Sequence, residues 1–468
     1  IILILLIIIA ITAIAKIFGF DTYLNIIILV KTTKAITLLS KFSKKHKLLD
    51  FFTNLGIIFG FGAIGLDYLA SRKYKNKFIR IPLFIVSTII FTYITYLLSG
   101  GMFTKNPLIN KNIGLGIIAL TGVFGLAGFT IGGLIYTAFD ILVKAAVGKT
   151  ACPGIGPVIP GVKIPKVNIF IPWYGWIILI ASAVIHEFSH GTLLKRFNIK
   201  IKSMGFTFLG LIPIGAFVEP EEEELKAAND HDIIKMYSAG PTSNLIIAIV
   251  FGIIVMLATT PINNYINTID NEKDLGVIVV EVSDKTSLCG SDFNNPAFGK
   301  LLARDLILEI NDSNITTRND VINAIKIDYE NKMLVKNLDT NLTRTEYVKT
   351  NELGRMGFTV DIIQDPSYKI PNNYFFLKTL LNVLVWIALL NFILGSVNFM
   401  PTVPFDGGPM TQIIFAEHFG KKKKNKYEIE SEEEKQKHHR KIKKRIAWFF
   451  GIITIILFLL NIIPYFMK

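Results

Sequence analysis

Two histidines and a glutamate lie close together in a stretch of the chain that is otherwise almost wholly apolar. They belong to the segment His186-Glu187-Phe188-Ser189-His190, within residues 174–194. On a helix, residues four positions apart project from one face, so both imidazoles can reach a single tetrahedral zinc at about 2.0–2.1 Å. Glu187 is adjacent and can act on a metal-bound water. The spacing therefore predicts a metalloprotease site with His186 and His190 as ligands.

The alternative is a cluster of polar side chains that satisfy one another inside a helix bundle. Ionisable groups within hydrocarbon are costly and rare, and they are usually functional. The whole chain has only 7 histidines, and two of them occupy this segment. The cost of placing them there favours the metal site over the polar cluster.

A zinc held by two histidines needs a third protein ligand and an open position for water. Residues 398–408 read Asn-Phe-Met-Pro-Thr-Val-Pro-Phe-Asp-Gly-Gly, and the two prolines prevent a regular helix there. Asp406 can supply a carboxylate oxygen. Its alternative role is to cap the helix that follows. Beside an intramembrane HExxH segment, we expect Asp406 to be the third ligand.

The composition is that of a polytopic membrane protein. The chain has 468 residues and is 51% hydrophobic, with a mean hydropathy of +0.47, which is too apolar for a soluble protein of this size. Stretches near the ~20 residues that a spanning helix needs are 1–19, 52–71, 79–99, 174–194, 238–260, 374–397 and 447–466. Residues 113–147 are glycine-rich and too long for one untilted crossing, and their number of crossings stays open.

The net charge of +14 lies mainly in loops that flank apolar stretches. This placement favours orientation in the membrane over nucleic-acid binding. The densest run, residues 421–445, holds 12 Lys or Arg against 5 Glu, and we expect it to be cytosolic. The two cysteines, Cys152 and Cys289, form no metal motif, and we expect no disulfide framework.

Residues 270–366 change character to alternating segments of soluble type. Residues 276–282, 305–311, 333–338 and 356–362 predict strands, and residues 319–325 predict a short helix. This order fits an inserted PDZ-like domain, although no clear carboxylate-binding loop is visible. If the basic loop is cytosolic, the inserted domain is extracytoplasmic and the metal site lies toward the cytosolic side.

Three motifs together resemble the site-2 protease family of intramembrane zinc metalloproteases. They are HEFSH at 186–190, Ala-Gly-Pro-Thr-Ser-Asn at 239–244, and the segment 398–408. The resemblance implies one Zn²⁺ per active site, held by His186, His190 and Asp406, with Glu187 as the catalytic acid/base. It also implies that Asn244 and Asn398 steady the active site or an oxyanion, and that residues 154–160 and 203–218 are short strands and a re-entrant segment.

We therefore predict a polytopic α-helical membrane protein with short re-entrant β segments and an inserted α/β PDZ-like domain. Its parts are N-terminal transmembrane helices of unknown role (1–150), the first half of a membrane protease core (151–262), the PDZ-like domain (270–366) and the second half of the core (374–468). The expected partners are transmembrane protein substrates and membrane lipid, with no nucleic acid, and the expected location is the plasma membrane. A membrane transporter and a non-catalytic PDZ-bearing adaptor are the alternatives.

Overall fold

The computed structural model describes residues 2–32, 36–98, 111–149, 151–164, 166–167, 169–288, 291–351, 354–365, 367–419 and 432–466. The helices in these residues are α1 (Ile2–Ile17), α2 (Ile36–Ser43), α3 (His46–Lys73), α4 (Lys77–Leu98), α5 (Lys111–Ala146), α6 (Gly175–Arg196), α7 (Glu222–Ala227), α8 (Asp230–Lys273), α9 (Arg318–Ala324), α10 (Asn372–Asn398), α11 (Gly407–Phe419) and α12 (Glu432–Ile462). The strands are β1 (Asp21–Tyr23), β2 (Ile27–Thr32), β3 (Ile201–Leu209), β4 (Ile212–Pro220), β5 (Asp274–Val282), β6 (Lys285–Leu288), β7 (Ser291–Asn294), β8 (Asp305–Ile310), β9 (Ser313–Asn314), β10 (Asn331–Asn337), β11 (Thr343–Val348) and β12 (Phe358–Gln364).

Seven of the described helices are long and apolar enough to cross a membrane: α3, α4, α5, α6, α8, α10 and α12. Six of the seven stretches predicted to span overlap helices of this set. The other predicted stretch, residues 1–19, contains the 16-residue helix α1, which is shorter than the roughly 20 residues that a spanning helix needs. Of the basic run, residues 432–445 begin α12, and residues 421–431 lie outside the described residues.

Helices α3 and α5 are each interrupted at one glycine, and the two interruptions touch. Gly62 has φ 55° and ψ −133°, and Gly125 has φ 57° and ψ −141°, a conformation that side chains disfavour. A Cβ on Gly125 would lie 2.4 Å from the backbone nitrogen of Gly62. The two halves of α5 pack against each other, because a Cβ on Gly132 would lie 2.8 Å from Cγ2 of Ile117, and Ile117 and Tyr136 share one apolar cluster. The stretch 113–147, whose number of crossings was open, is therefore two helical segments that fold back at Gly125.

A four-stranded sheet, in the order β1-β2-β3-β4, joins two strands near the N-terminus to the two strands that follow α6. Strand β3 pairs with β4 and also with β2, which precedes it by about 170 residues. At the β3–β4 turn Leu211 and Ile212 are exposed apolar side chains. The predicted strand at 154–160 is wrong: the described backbone there is irregular, and Gly154 N–H donates to the carbonyl of Asn461.

The inserted segment between α8 and α10 folds around its own apolar core. Its sheet has the order β11-β10-β8-β5-β12, with β9 beside β8, and the core includes Val277, Ile307 and Val335, all fully buried. The predicted strands and the short helix match β5, β8, β10, β12 and α9 within a few residues. The PDZ-like assignment itself stays a prediction.

The N-terminal helices are not a separate unit, because they share a core with the segment that follows Asp406. One apolar cluster contains Ile57 and Phe61 from α3, Ile234 from α8, and Phe399 and Ile414 from the second half of the chain.

The side chain of Asp67, near the end of α3, is buried and accepts two hydrogen bonds from Arg80. The Nε2 atom of His418 lies 2.9 Å from its Oδ2. In this position it ties together α3, α4 and α11.

Cys152, on the segment before α6, is disulfide-bonded. The expectation that the cysteines form no disulfide framework is therefore wrong. The chain's other cysteine, Cys289, lies outside the described residues.

Candidate metal centre

Helix α6 carries both histidines on the face that is turned into the protein. His186 and His190 are 8% and 7% exposed, although the helix also presents Ile177, Val184 and Ile185 outward. The two imidazole rings lie 4.8 Å apart between their centroids. The four-residue spacing therefore places the two ring edges together inside the bundle, as predicted.

Asp406 meets these imidazoles from the other half of the chain. Its Oδ2 atom lies 3.0 Å from Nε2 of His186 and 3.2 Å from Nε2 of His190, and the two Nε2 atoms are 3.1 Å apart. A tetrahedral zinc with bonds of 2.0–2.1 Å separates its ligand atoms by about 3.3 Å. The three atoms thus form one face of a slightly contracted tetrahedron.

The polypeptide around Asp406 leaves its side chain directed at the histidines. The chain turns tightly through residues 399–405, with Met400, Thr402 and Phe405 each donating a backbone hydrogen bond to a carbonyl two or three residues earlier. These turns bring the Asp406 carboxylate up to both imidazoles.

The residue of α8 that faces the two histidines is a glycine, Gly240. A Cβ on Gly240 would lie 2.4 Å from Nε2 of His190 and 2.5 Å from Nε2 of His186, closer than real Cβ contacts allow. Only a residue without a side chain leaves room for both ring nitrogens. The space that this glycine keeps open is the space in which the three candidate ligands converge.

The other nitrogen of His190 is fixed by the backbone of α8. Its Nδ1 lies 2.8 Å from the carbonyl oxygen of Met236, so the protonated Nδ1 donates to that carbonyl and Nε2 is left as the acceptor. Metal-binding histidines are usually oriented by such a bond. Among the described residues, Nδ1 of His186 has no hydrogen-bond partner.

Glu187 points from α6 toward the edge strand β4. Its Oε2 accepts a hydrogen bond of 3.0 Å from the backbone N–H of Val218. This bond fixes the carboxylate between the metal-ligand face of α6 and the sheet.

Residues 174–431 match peptidase family M50. The chain belongs to this family. Members of peptidase family M50, the site-2 protease family, are zinc metalloproteases. The resemblance that the three motifs indicated is thereby confirmed.

An uncharacterized protein of Methanocaldococcus jannaschii is 31% identical to this M50 chain over 243 residues. The aligned part is 51% of this chain and 56% of that relative. The chain thus spans about half the length of the relative it matches.

The two asparagines of the M50 motifs lie near residues of this centre in the sequence: Asn244 follows Gly240, and Asn398 precedes Asp406. Asn244 is one helical turn after Gly240 and is 1% exposed, and its Oδ1 has no hydrogen-bond partner among the described residues. Asn398 ends α10 and donates from Nδ2 to the carbonyl of Leu394. The described hydrogen bonds join neither one to the three candidate ligands, and their catalytic roles stay predictions.

Sequence reasoning missed three groups of the centre: the space at Gly240, the carbonyl of Met236 and the N–H of Val218. Two of these are backbone groups, which no side-chain pattern can reveal. Gly240 lies in the quoted motif at 239–244, and the absence of a side chain there was the available signal.

Proposed function

We propose that this M50 peptidase is an intramembrane zinc metalloprotease that hydrolyses peptide bonds within or next to transmembrane segments of other proteins. One observation carries the proposal. Asp406 lies within hydrogen-bond distance of His186 and His190, two histidines of a long apolar helix, although it follows His190 by 216 residues.

The residues present fit zinc. Two imidazole nitrogens and one carboxylate oxygen are a donor set that catalytic zinc sites use, with the fourth position left for water. When bound, zinc polarises a water and lowers its pKa from 15.7 toward about 7. His186, His190 and Asp406 would hold the ion, and Gly240 keeps the room that it needs.

Glu187 is the group that moves protons in this proposal. It is adjacent to the ligand face, and the bond from Val218 leaves its second carboxylate oxygen available. It accepts the proton as water attacks the scissile carbonyl and returns it to the leaving amine. An amide donor on Asn244 or Asn398 would stabilise the oxyanion.

The substrate's peptide bond must be freed from its own helix before it can be attacked. Strand β4 ends the sheet β1-β2-β3-β4 and holds Glu187 through Val218. An unwound substrate segment could pair with this edge as an added strand. Such pairing would bring an extended backbone beside the general base.

For the orientation, we propose that the inserted domain is extracytoplasmic and that the metal site lies toward the cytosol of a plasma-membrane protein. The disulfide at Cys152 supports this, because disulfides persist mainly outside the cytosol. Cys152 precedes α6, and alternation of α6 and α8 across the membrane puts the segment before α6 on the side of the inserted domain.

The test is cleavage of a panel of single-span membrane proteins by the purified full chain in detergent, together with its zinc content. Glu187→Gln should keep zinc and lose cleavage, while the exposed control Glu222→Gln should keep both. Undiminished cleavage by Glu187→Gln would refute the general-base role. Zinc-dependent solute movement without any cleavage would instead favour the transporter alternative.

A further inference from the structure

Helix α3 lies outside residues 174–431, which match the family, yet it packs along the helix that backs the metal centre. Ser238 of α8 donates from Oγ to the carbonyl of Thr53 at 3.2 Å. One turn further along, a Cβ on Gly56 would lie 1.7 Å from Oγ1 of Thr242. The two backbones are therefore in close contact over this length.

At the start of this contact, Asp50 of α3 binds two cations from two different helices. Its Oδ2 lies 2.6 Å from Nη2 of Arg196, and its Oδ1 lies 2.6 Å from Nζ of Lys235. Each cationic side chain is 11% exposed, against 36% for the carboxylate. Arg196 also donates to the carbonyl of His46, so it contacts α3 twice.

Both cations belong to the elements that set the position of His190. Arg196 lies in the last turn of α6, the helix that carries the histidines. Lys235 precedes Met236, whose carbonyl accepts the hydrogen bond from Nδ1 of His190. Asp50 thus joins the helix of the ligand to the helix that orients the ligand.

We propose that Asp50 is a positioning residue of the metal centre, which holds α6 and α8 in the register that aims Nε2 of His190 at the metal. The inference rests on the zinc centre of the proposed function. It also assigns a role to the N-terminal part of the chain, since α3 supplies a group that the family-matched residues lack.

The physical reason is charge. Without the carboxylate, two nearly buried cations on neighbouring helices face each other unpaired, and uncompensated buried charge is strongly unfavourable. The helices can relieve this only by separating where Arg196 and Lys235 approach Asp50. Because Met236 directly follows Lys235, the movement is transmitted to the bond that orients His190.

The test compares Asp50→Asn with Asp50→Glu, with Asp140→Asn as the matched control. Asp140 is also a partly buried carboxylate of a long apolar helix, but its ion pair with Lys144 lies within that helix. The full-length proteins are purified in detergent, stripped of metal and titrated with zinc alone. The visible spectrum of the Co²⁺-loaded protein reports the geometry at the ligands.

We expect Asp50→Asn to weaken zinc binding by about 10–100-fold, as loss of an outer group around a metal site does, and to change the Co²⁺ spectrum. Asp50→Glu should restore both toward the wild type, and Asp140→Asn should change neither. A lower melting temperature with unchanged zinc affinity and spectrum would overturn the proposal, because Asp50 would then be a structural tie only.

If Asp50→Asn does not fold, Lys235→Met tests the same connection while leaving the Asp50–Arg196 pair intact. It should also shift the Co²⁺ spectrum, and an unchanged spectrum would overturn the inference. A wild-type protein that takes up neither zinc nor Co²⁺ would instead contradict the proposed function, so the two failures are distinguishable.

Discussion

The contact between Gly240 and the two histidines allows the metal centre to be tested by adding a single methyl group. In Gly240→Ala, the new Cβ would lie 2.4 Å from Nε2 of His190 and 2.5 Å from Nε2 of His186. Ordinary contact begins at 3.4 Å, so each nitrogen must retreat by about 1 Å, several times the ±0.2 Å tolerance of a metal–ligand bond.

His190 cannot absorb this displacement by rotating freely, because its Nδ1 is bonded to Met236 on the same helix as the new methyl group. We therefore expect zinc affinity to fall by at least about 100-fold, the upper end of the cost of losing one outer hydrogen bond. Overpacking should cost about 1–3 kcal/mol, and the better helix propensity of alanine offsets roughly 0.5–1 kcal/mol of it, so the variant should still fold.

The matched control is Gly252→Ala in the same helix, where a Cβ would meet nothing within 4 Å. Zinc content of both purified variants and zinc affinity by chelator competition are measured beside their thermal unfolding. Equal zinc affinity in Gly240→Ala and Gly252→Ala would show that the histidines do not bind metal at the place described.

Three further predictions concern the ligand Asp406, the packing of α3 on α8, and an ion pair of the inserted domain. Asp406→Ala should retain less zinc at metal analysis, and a normal zinc content would rule out its role as a ligand. Gly56→Ala should destabilise the fold by about 1–3 kcal/mol through overpacking against Thr242. Adding Thr242→Ala should recover part of this loss, as measured by denaturant unfolding. If the free-energy changes of the two substitutions simply add in the double variant, the contact is contradicted. Arg344→Met should destabilise the inserted domain by about 3–5 kcal/mol near neutral pH, because it leaves the fully buried Asp305 carboxylate unpaired. Burial raises the pKa of Asp305, but the hydrogen bonds from Arg344 and its neighbours hold it below its usual value. Acidification below about pH 4 should therefore weaken the wild-type domain more than the variant, and hydrogen exchange of the inserted domain measures the difference.

The local patterns of the sequence predicted the elements of the site well. The i,i+4 spacing of His186 and His190 fixes their common face on any helix, and the apolar length of residues 174–194 places that helix in a membrane. The alternating segments of the inserted domain predicted β5, β8, β10 and β12 for the same reason, because their signal lies within each strand.

The long-range contacts could not be predicted in this way. The pairing of β2 with β3 joins strands about 170 residues apart, and each strand alone carries no mark of its partner. The sequence around Asp50 likewise does not show that it pairs with Arg196 and Lys235, which lie 146 and 185 residues further along the chain. The predicted strand at 154–160 failed because its prolines and glycines fit an irregular segment equally well.

Helix α8 also sets a scale for the substrate. It runs 44 residues, from Asp230 to Lys273, and Gly240 lies near its beginning while the inserted domain is attached at its end. The 33 residues between Gly240 and Lys273 cover up to about 50 Å as helix, well beyond the ~30 Å hydrocarbon layer. Any polypeptide that touches the inserted domain while one of its bonds lies among the histidines must bridge that distance, which takes about 15 residues when fully stretched. A chain that extends fewer residues than this from the cleaved bond, on the side of the inserted domain, could enter the bundle without touching that domain.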